Sequence, residues 1–97
     1  MSEYAVSIVE GVLAHQVQID EALTTYAHGW TLDRMPAVDR VILRIATWEL
    51  VHNEDVPDDV VINEAVILAS ELSTDDSPAF VNGLLARIQS LKATLQA

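Results

Sequence analysis

Apolar residues recur along this chain at three- and four-residue intervals, the period of an α-helix with one buried face. From Glu3 to Ala14 the stripe is Ala5, Ile8, Val9, Val12 and Leu13. A second stripe, over Val17 to Ala27, is Ile19, Ala22, Leu23 and Tyr26. The segment "HGWTLDRMP" reads as a connector, with Gly29 as a C-terminal cap. Pro36 is expected to open a third helix at a position where its missing N–H costs nothing, and "HNEDVP" to end it. Pro57 opens a fourth, whose expected inner face carries Val61, Ala65, Val66, Leu68, Ala69 and Leu72. After "STDDSP", with Ser77 as N-cap and Pro78 in the first turn, the fifth is striped by Phe80, Val81, Leu84, Leu85, Ile88, Leu91 and Leu95. No sustained strand alternation and no internal repeat is visible. The pattern predicts an all-α bundle of about five helices in a single domain spanning 1–97.

The third helix carries the sharpest question. On a wheel at 100° per residue, the apolar side chains of "VDRVILRIATWEL" fill more than half the circumference, and Arg40, Arg44 and Thr47 share one narrow polar sector. Glu49 falls within the apolar arc. A buried carboxylate needs a partner, and Arg34, Arg87 or backbone N–H groups at a neighbouring helix start are the expected ones. Arg40 and Arg44, like charges at i and i+4 with Asp39 beside them, read either as a solvated strip or as a partner surface. Val60 and Ile67 lie i, i+7 on the polar side of the fourth helix, among Glu64 and Glu71, as an apolar pair facing water. Asn63 and Asn82, early in the last two helices, are expected to bridge helix to loop.

Composition narrows the chemistry. Half of the residues are hydrophobic (51%), there is no cysteine, and five Lys+Arg against fifteen Asp+Glu give a net charge of −10. An acidic chain repels phosphate, so bulk charge argues against nucleic-acid binding. Disulfides and cysteine-ligated metals are excluded, and the expectation is a cytoplasmic protein with no membrane span. Asp58 with Asp59, and Asp75 with Asp76, sit where helix starts favour negative charge. His15, His28 and His52 lie in separate segments without metal-ligand spacing, and no HExxH, GxSxG or glycine-rich phosphate loop occurs. The sequence points to a non-enzyme with no cofactor and no metal.

Three segments, "DRVILRIATWEL", "VPDDVVINEAVILASEL" and "SPAFVNGLLARI", resemble the second half of the NusB family of transcription antitermination factors, with "INEAV" followed by "FVNG" the most specific part. The match is densest from Trp30 to Ile88, and residues 1–28 look like the family's middle helices. The resemblance implies an all-helical fold of two packed subdomains. It also implies binding to boxA, a short single-stranded RNA element, jointly with NusE, a small-subunit ribosomal protein, next to an elongating RNA polymerase complex. Carried onto this chain, the NusE-facing positions are Asp33, Asp39, Arg40 and Arg44, and the RNA-facing ones Asp76 and Phe80. Phe80 is expected either to stack on an unpaired base or to pack in the core.

The family pattern opens with an arginine-rich segment and two helices that have no match here, since Met-Ser-Glu falls at the family's third helix. Reduced RNA affinity is the expected consequence. So is an exposed patch around Ile8, Val9, Val12 and Leu13 on the first helix, favouring a homo-oligomer. Two alternatives stand beside this reading: a protein-only module gripping NusE without RNA, and the NusB-like RNA-binding domain of an rRNA cytosine methyltransferase.

Overall fold

A computed structural model describes residues 2–95. Five α-helices follow one another: α1 (Glu3–Ala14), α2 (Gln16–Tyr26), α3 (Ala37–His52), α4 (Asp58–Leu72) and α5 (Ser77–Leu95), with a 3₁₀ turn over Leu32–Arg34 before α3. Each begins where local chemistry favours it. Ser2 Oγ accepts the amide of Ala5 at 3.1 Å and caps α1. Pro36 and Pro57, in extended conformation, are the cap residues of α3 and α4, one place earlier than their expected role inside the first turn. The chain leaves α2 through His28 and Gly29, both at positive φ (49° and 94°), which turns it sharply into the connector.

α3 lies at the centre and packs against each of the other four helices. It runs antiparallel to α4, tied at one end by Asp39 of its first turn and Ser73 just beyond α4. α4 and α5 form a second antiparallel pair, closed by Lys92 Nζ on the Asp58 carboxylate at 2.9 and 3.0 Å. The core is a single cluster that includes Ile19 and Leu23 of α2, Ile42, Leu43, Ala46, Leu50 and Val51 of α3, and Val81, Leu84, Leu85 and Ile88 of α5. α4 contributes a narrow stripe, Val61, Ala65 and Ala69. Leu68 and Leu72, expected on that inner face, are exposed, whereas Ile62 and Val66 pack against the core beside the stripe. Val60 and Ile67 face water as expected, whereas Asn63 and Asn82 bridge nothing: both are exposed and line a shallow cleft between α4 and α5.

Thr47 is not on a polar strip; it is buried at 1% exposure against α2. Glu49 is half-buried, and its partner is neither an arginine nor a helix start but Tyr4 of α1, whose hydroxyl donates to Oε2 at 2.9 Å. That bond, desolvation and the negative charge of Glu49 all raise the Tyr4 pKa.

α1 rests mainly on α3, with Ile8 and Val12 turned to the core and Val9 and Leu13 outward, Leu13 at 65% exposure. The seat is set by Gly11: a Cβ there would lie 2.2 Å from the indole of Trp48. Gly11→Ala is therefore expected to unseat α1 and cost about 1–3 kcal/mol through overpacking. Gly83→Ala, where the nearest atom is the flexible end of Arg87 at 3.6 Å, should gain about 0.5–1 kcal/mol in helix propensity. Urea unfolding of the two variants should move the midpoint in opposite directions.

Candidate RNA- and partner-binding surface

The connector after α2 and the first turn of α5 face each other across a groove of about 400 Å³ lined by Trp30, Arg34, Met35, Pro36, Asp39, Thr74, Asp76, Ser77 and Phe80. Trp30 is exposed, Phe80 half-buried, and their ring centroids are 6.1 Å apart at a 58° tilt. Phe80 packs against the core, and its ring also borders the groove. Asp76 is exposed at the rim.

Asp39 holds this region together. Expected on an exposed strip, it is 2% exposed and accepts from Ser73 Oγ at 2.5 Å and Ser77 Oγ at 2.8 Å. Ser77 Oγ in turn accepts the amide of Thr74 at 3.2 Å and contacts Thr74 Oγ1 at 2.7 Å. The sequence reading of Ser77 as a plain N-cap misses this: its hydroxyl is committed to a neighbouring helix, and Asp76 O accepts the amide of Phe80 instead. The carboxylate is tolerable without a cation because two charge-assisted hydrogen bonds satisfy it and the first turns of α3 and α5 converge on it. Its carboxylate has no free surface to offer a partner.

Arg40 and Arg44 also differ from the open strip read from the wheel. Arg44 forms a two-pronged pair with Asp20 of α2 (Nε–Oδ1 2.9 Å, Nη2–Oδ2 3.1 Å), and Arg40 Nη1 donates to Leu32 O at 2.8 Å. Arg87 Nε donates to Tyr26 O at the end of α2 at 3.0 Å, where a cation also suits the helix dipole. With Lys92 on Asp58, four of the five cations are bonded within the fold. Arg34, exposed in the groove, is the one without such a partner among the described residues. Asp33 is exposed beside it.

Sequence separation hid one more pair. His15 and His52 stack with centroids 3.9 Å apart, His15 Nδ1 against Gly11 O and His52 Nε2 against Gln18 Oε1. Burial, and secondarily the charge of His15, lowers the His52 pKa. Among the described residues, no group of three or more His, Asp or Glu is placed to hold a metal ion. None of their helices is long and apolar enough to cross a membrane.

Residues 1–90 match the model of the NusB family. The chain belongs to that family. A transcription antitermination protein NusB from an Arthrobacter species is 62% identical over 97 residues, covering all of this chain and 71% of that protein. Another, from Beutenbergia cavernae, is 66% identical over 96 residues, covering 99% and 63%. The solved structure of T. maritima NusB superposes with a TM-score of 0.87 at 39% identity, over 91% of this chain and 62% of that one. The chain thus spans roughly two thirds of the length of these NusB relatives. The all-helical NusB fold expected from the sequence is what the structure and its neighbour share.

Asp39→Ala should cost about 1–3 kcal/mol by stranding the Ser73 and Ser77 hydroxyls, and Asp39→Asn, which keeps an acceptor, should lose less in urea melts. For His52, the lowered folded pKa means the unfolded chain binds more protons, so stability is full above about pH 6.5 and declines as pH falls through the folded value. Denaturation at pH 7.5 and 5.5 should show that loss, and His52→Gln should flatten it.

Proposed function

We propose that this chain is a binding protein of transcription antitermination, carrying boxA-type single-stranded RNA in the Trp30–Phe80 groove and a NusE-type ribosomal protein on the outer side of α3, beside an elongating polymerase. The supporting observation is its 62–66% identity, over essentially its whole length, to proteins named transcription antitermination protein NusB. The groove adds the needed chemistry: aromatic rings for an unpaired base and a cation for a phosphate. On the partner side, Val38 and Val41 are exposed on α3, an apolar centre for a protein contact, with Arg40 and Arg44 flanking it and Asp33 on the adjoining turn. In this reading Asp39 acts from beneath, by fixing the first turn that carries Val38 and Arg40.

The net charge of −10 favours one competing role, gripping the protein partner without RNA. A titration with purified NusE and with boxA RNA, each at two salt concentrations, separates the two. With Arg34 as the cation left unpaired among the described residues, RNA affinity should fall only gently with salt, a log–log slope near −0.7 per phosphate contacted. Val41→Glu should weaken NusE binding about tenfold or more and leave RNA binding unchanged, whereas Asp33→Arg should weaken NusE binding and, by adding a cation beside Arg34, not lower RNA affinity. NusE binding with no RNA binding at low salt would favour the protein-only role, and binding of neither would overturn the proposal.

A further inference from the structure

The groove contains an aromatic residue whose role the sequence did not suggest. Trp30 is 51% exposed, an unusual setting for an indole, and stands directly after the left-handed pair His28 and Gly29. Its amide is held by Ala27 O at 3.4 Å, so the turn presents the ring at the groove edge. The alternative binder, Phe80, has much of its ring against the core and meets Trp30 at a tilt. A base sandwiched between two rings needs them parallel and about 7 Å apart, twice the carbon contact distance. Rings at 6.1 Å and 58° leave no such slot. Stacking here is one-sided, and the ring with an open surface is that of Trp30.

We infer that Trp30 is the stacking platform for one unpaired base of a single-stranded RNA, with Phe80 as the prop that holds the indole and Arg34 as the contact for the adjoining phosphate. This rests on the groove being the RNA face. Charge supports the orientation. Arg34 is the chain's cation without an internal partner among the described residues, and it lines the same groove as the indole. Asp76, exposed on the opposite rim, repels phosphate and so directs the strand's backbone to the Arg34 side. Asp39, through Ser73 and Ser77, fixes the first turn of α5 and with it Phe80, and so acts as a positioning residue for the platform.

The test is a titration of the ¹⁵N-labelled chain with a boxA-containing oligoribonucleotide of about twelve nucleotides at low salt. The indole N–H signals of Trp30 and Trp48 and the amides of Asp76 and Phe80 are followed together. The Trp30 indole should move while that of Trp48, packed against Gly11, stays. Trp30→Ala should weaken binding about five- to hundredfold, and Trp30→Phe should restore most of it, since every aromatic face stacks. Trp30→Phe, which keeps a ring against Phe80, should keep the wild-type unfolding midpoint, and Trp30→Ala, which gives up that contact, should lower it while the chain stays folded under the titration conditions. Movement of Asp76 and Phe80 with a still Trp30 indole, and wild-type affinity in Trp30→Ala, would overturn the platform while leaving the RNA face standing. If no groove signal moves with RNA, or if added NusE rather than RNA shifts the Trp30 indole, the RNA-face reading itself is overturned, and the platform with it.

Discussion

A buried carboxylate is the constraint on which the organisation of this molecule depends. Asp39 sits where the first turn of α3, the end of α4 and the start of α5 converge, and two serine hydroxyls satisfy it. Burying such a polar group is costly unless it is hydrogen-bonded, and the two hydroxyls supply those bonds next to two helix starts. Three helices are registered by one side chain. The surface consequences are immediate: Thr74 and Asp76 are held over the groove, Phe80 follows in the first turn of α5, and Val38 and Arg40 are fixed on the other side of the same turn of α3.

The allocation of positive charge is the second theme. Arg40, Arg44, Arg87 and Lys92 each join two elements: the connector to α3, α2 to α3, α5 to the end of α2, and α5 to α4. Half-buried pairs of this kind gain more than fully exposed ones because their surroundings screen them less. An acidic chain with so few cations committed in this way has little left for long-range attraction of a polyanion.

The stripes made the five helices legible almost to the residue, since caps and apolar spacing are local properties. What escaped is non-local. Asp39 meets serines 34 and 38 positions away, Glu49 meets a tyrosine 45 positions before it, and His15 finds His52 across the α1–α3 contact. A wheel reports which side chains share a face, but not what stands opposite, so it made Arg40 and Arg44 look free and Leu68 and Leu72 look covered. Gly11 carries no such local signal; its purpose is the indole of Trp48 that fills the space a methyl would take. On the groove, Asp76 and Phe80 were reached through family resemblance. Trp30 could have been found from its sequence alone, as a large aromatic next to a left-handed glycine and outside every apolar stripe.

The position of Arg34 also bears on how the chain would be cut. Of its five basic residues, four lie inside α-helices, where a trypsin-like protease cannot draw the backbone into an extended strand. Arg34 alone occupies a short 3₁₀ turn outside them, but the next residue, Met35, is buried against the core. Scission after Arg34 must therefore wait for the segment carrying Trp30 to Pro36 to lift away, so its rate is a clock for that local opening. Two fragments cut there would separate α1 and α2 from the three helices that Asp39 fastens together.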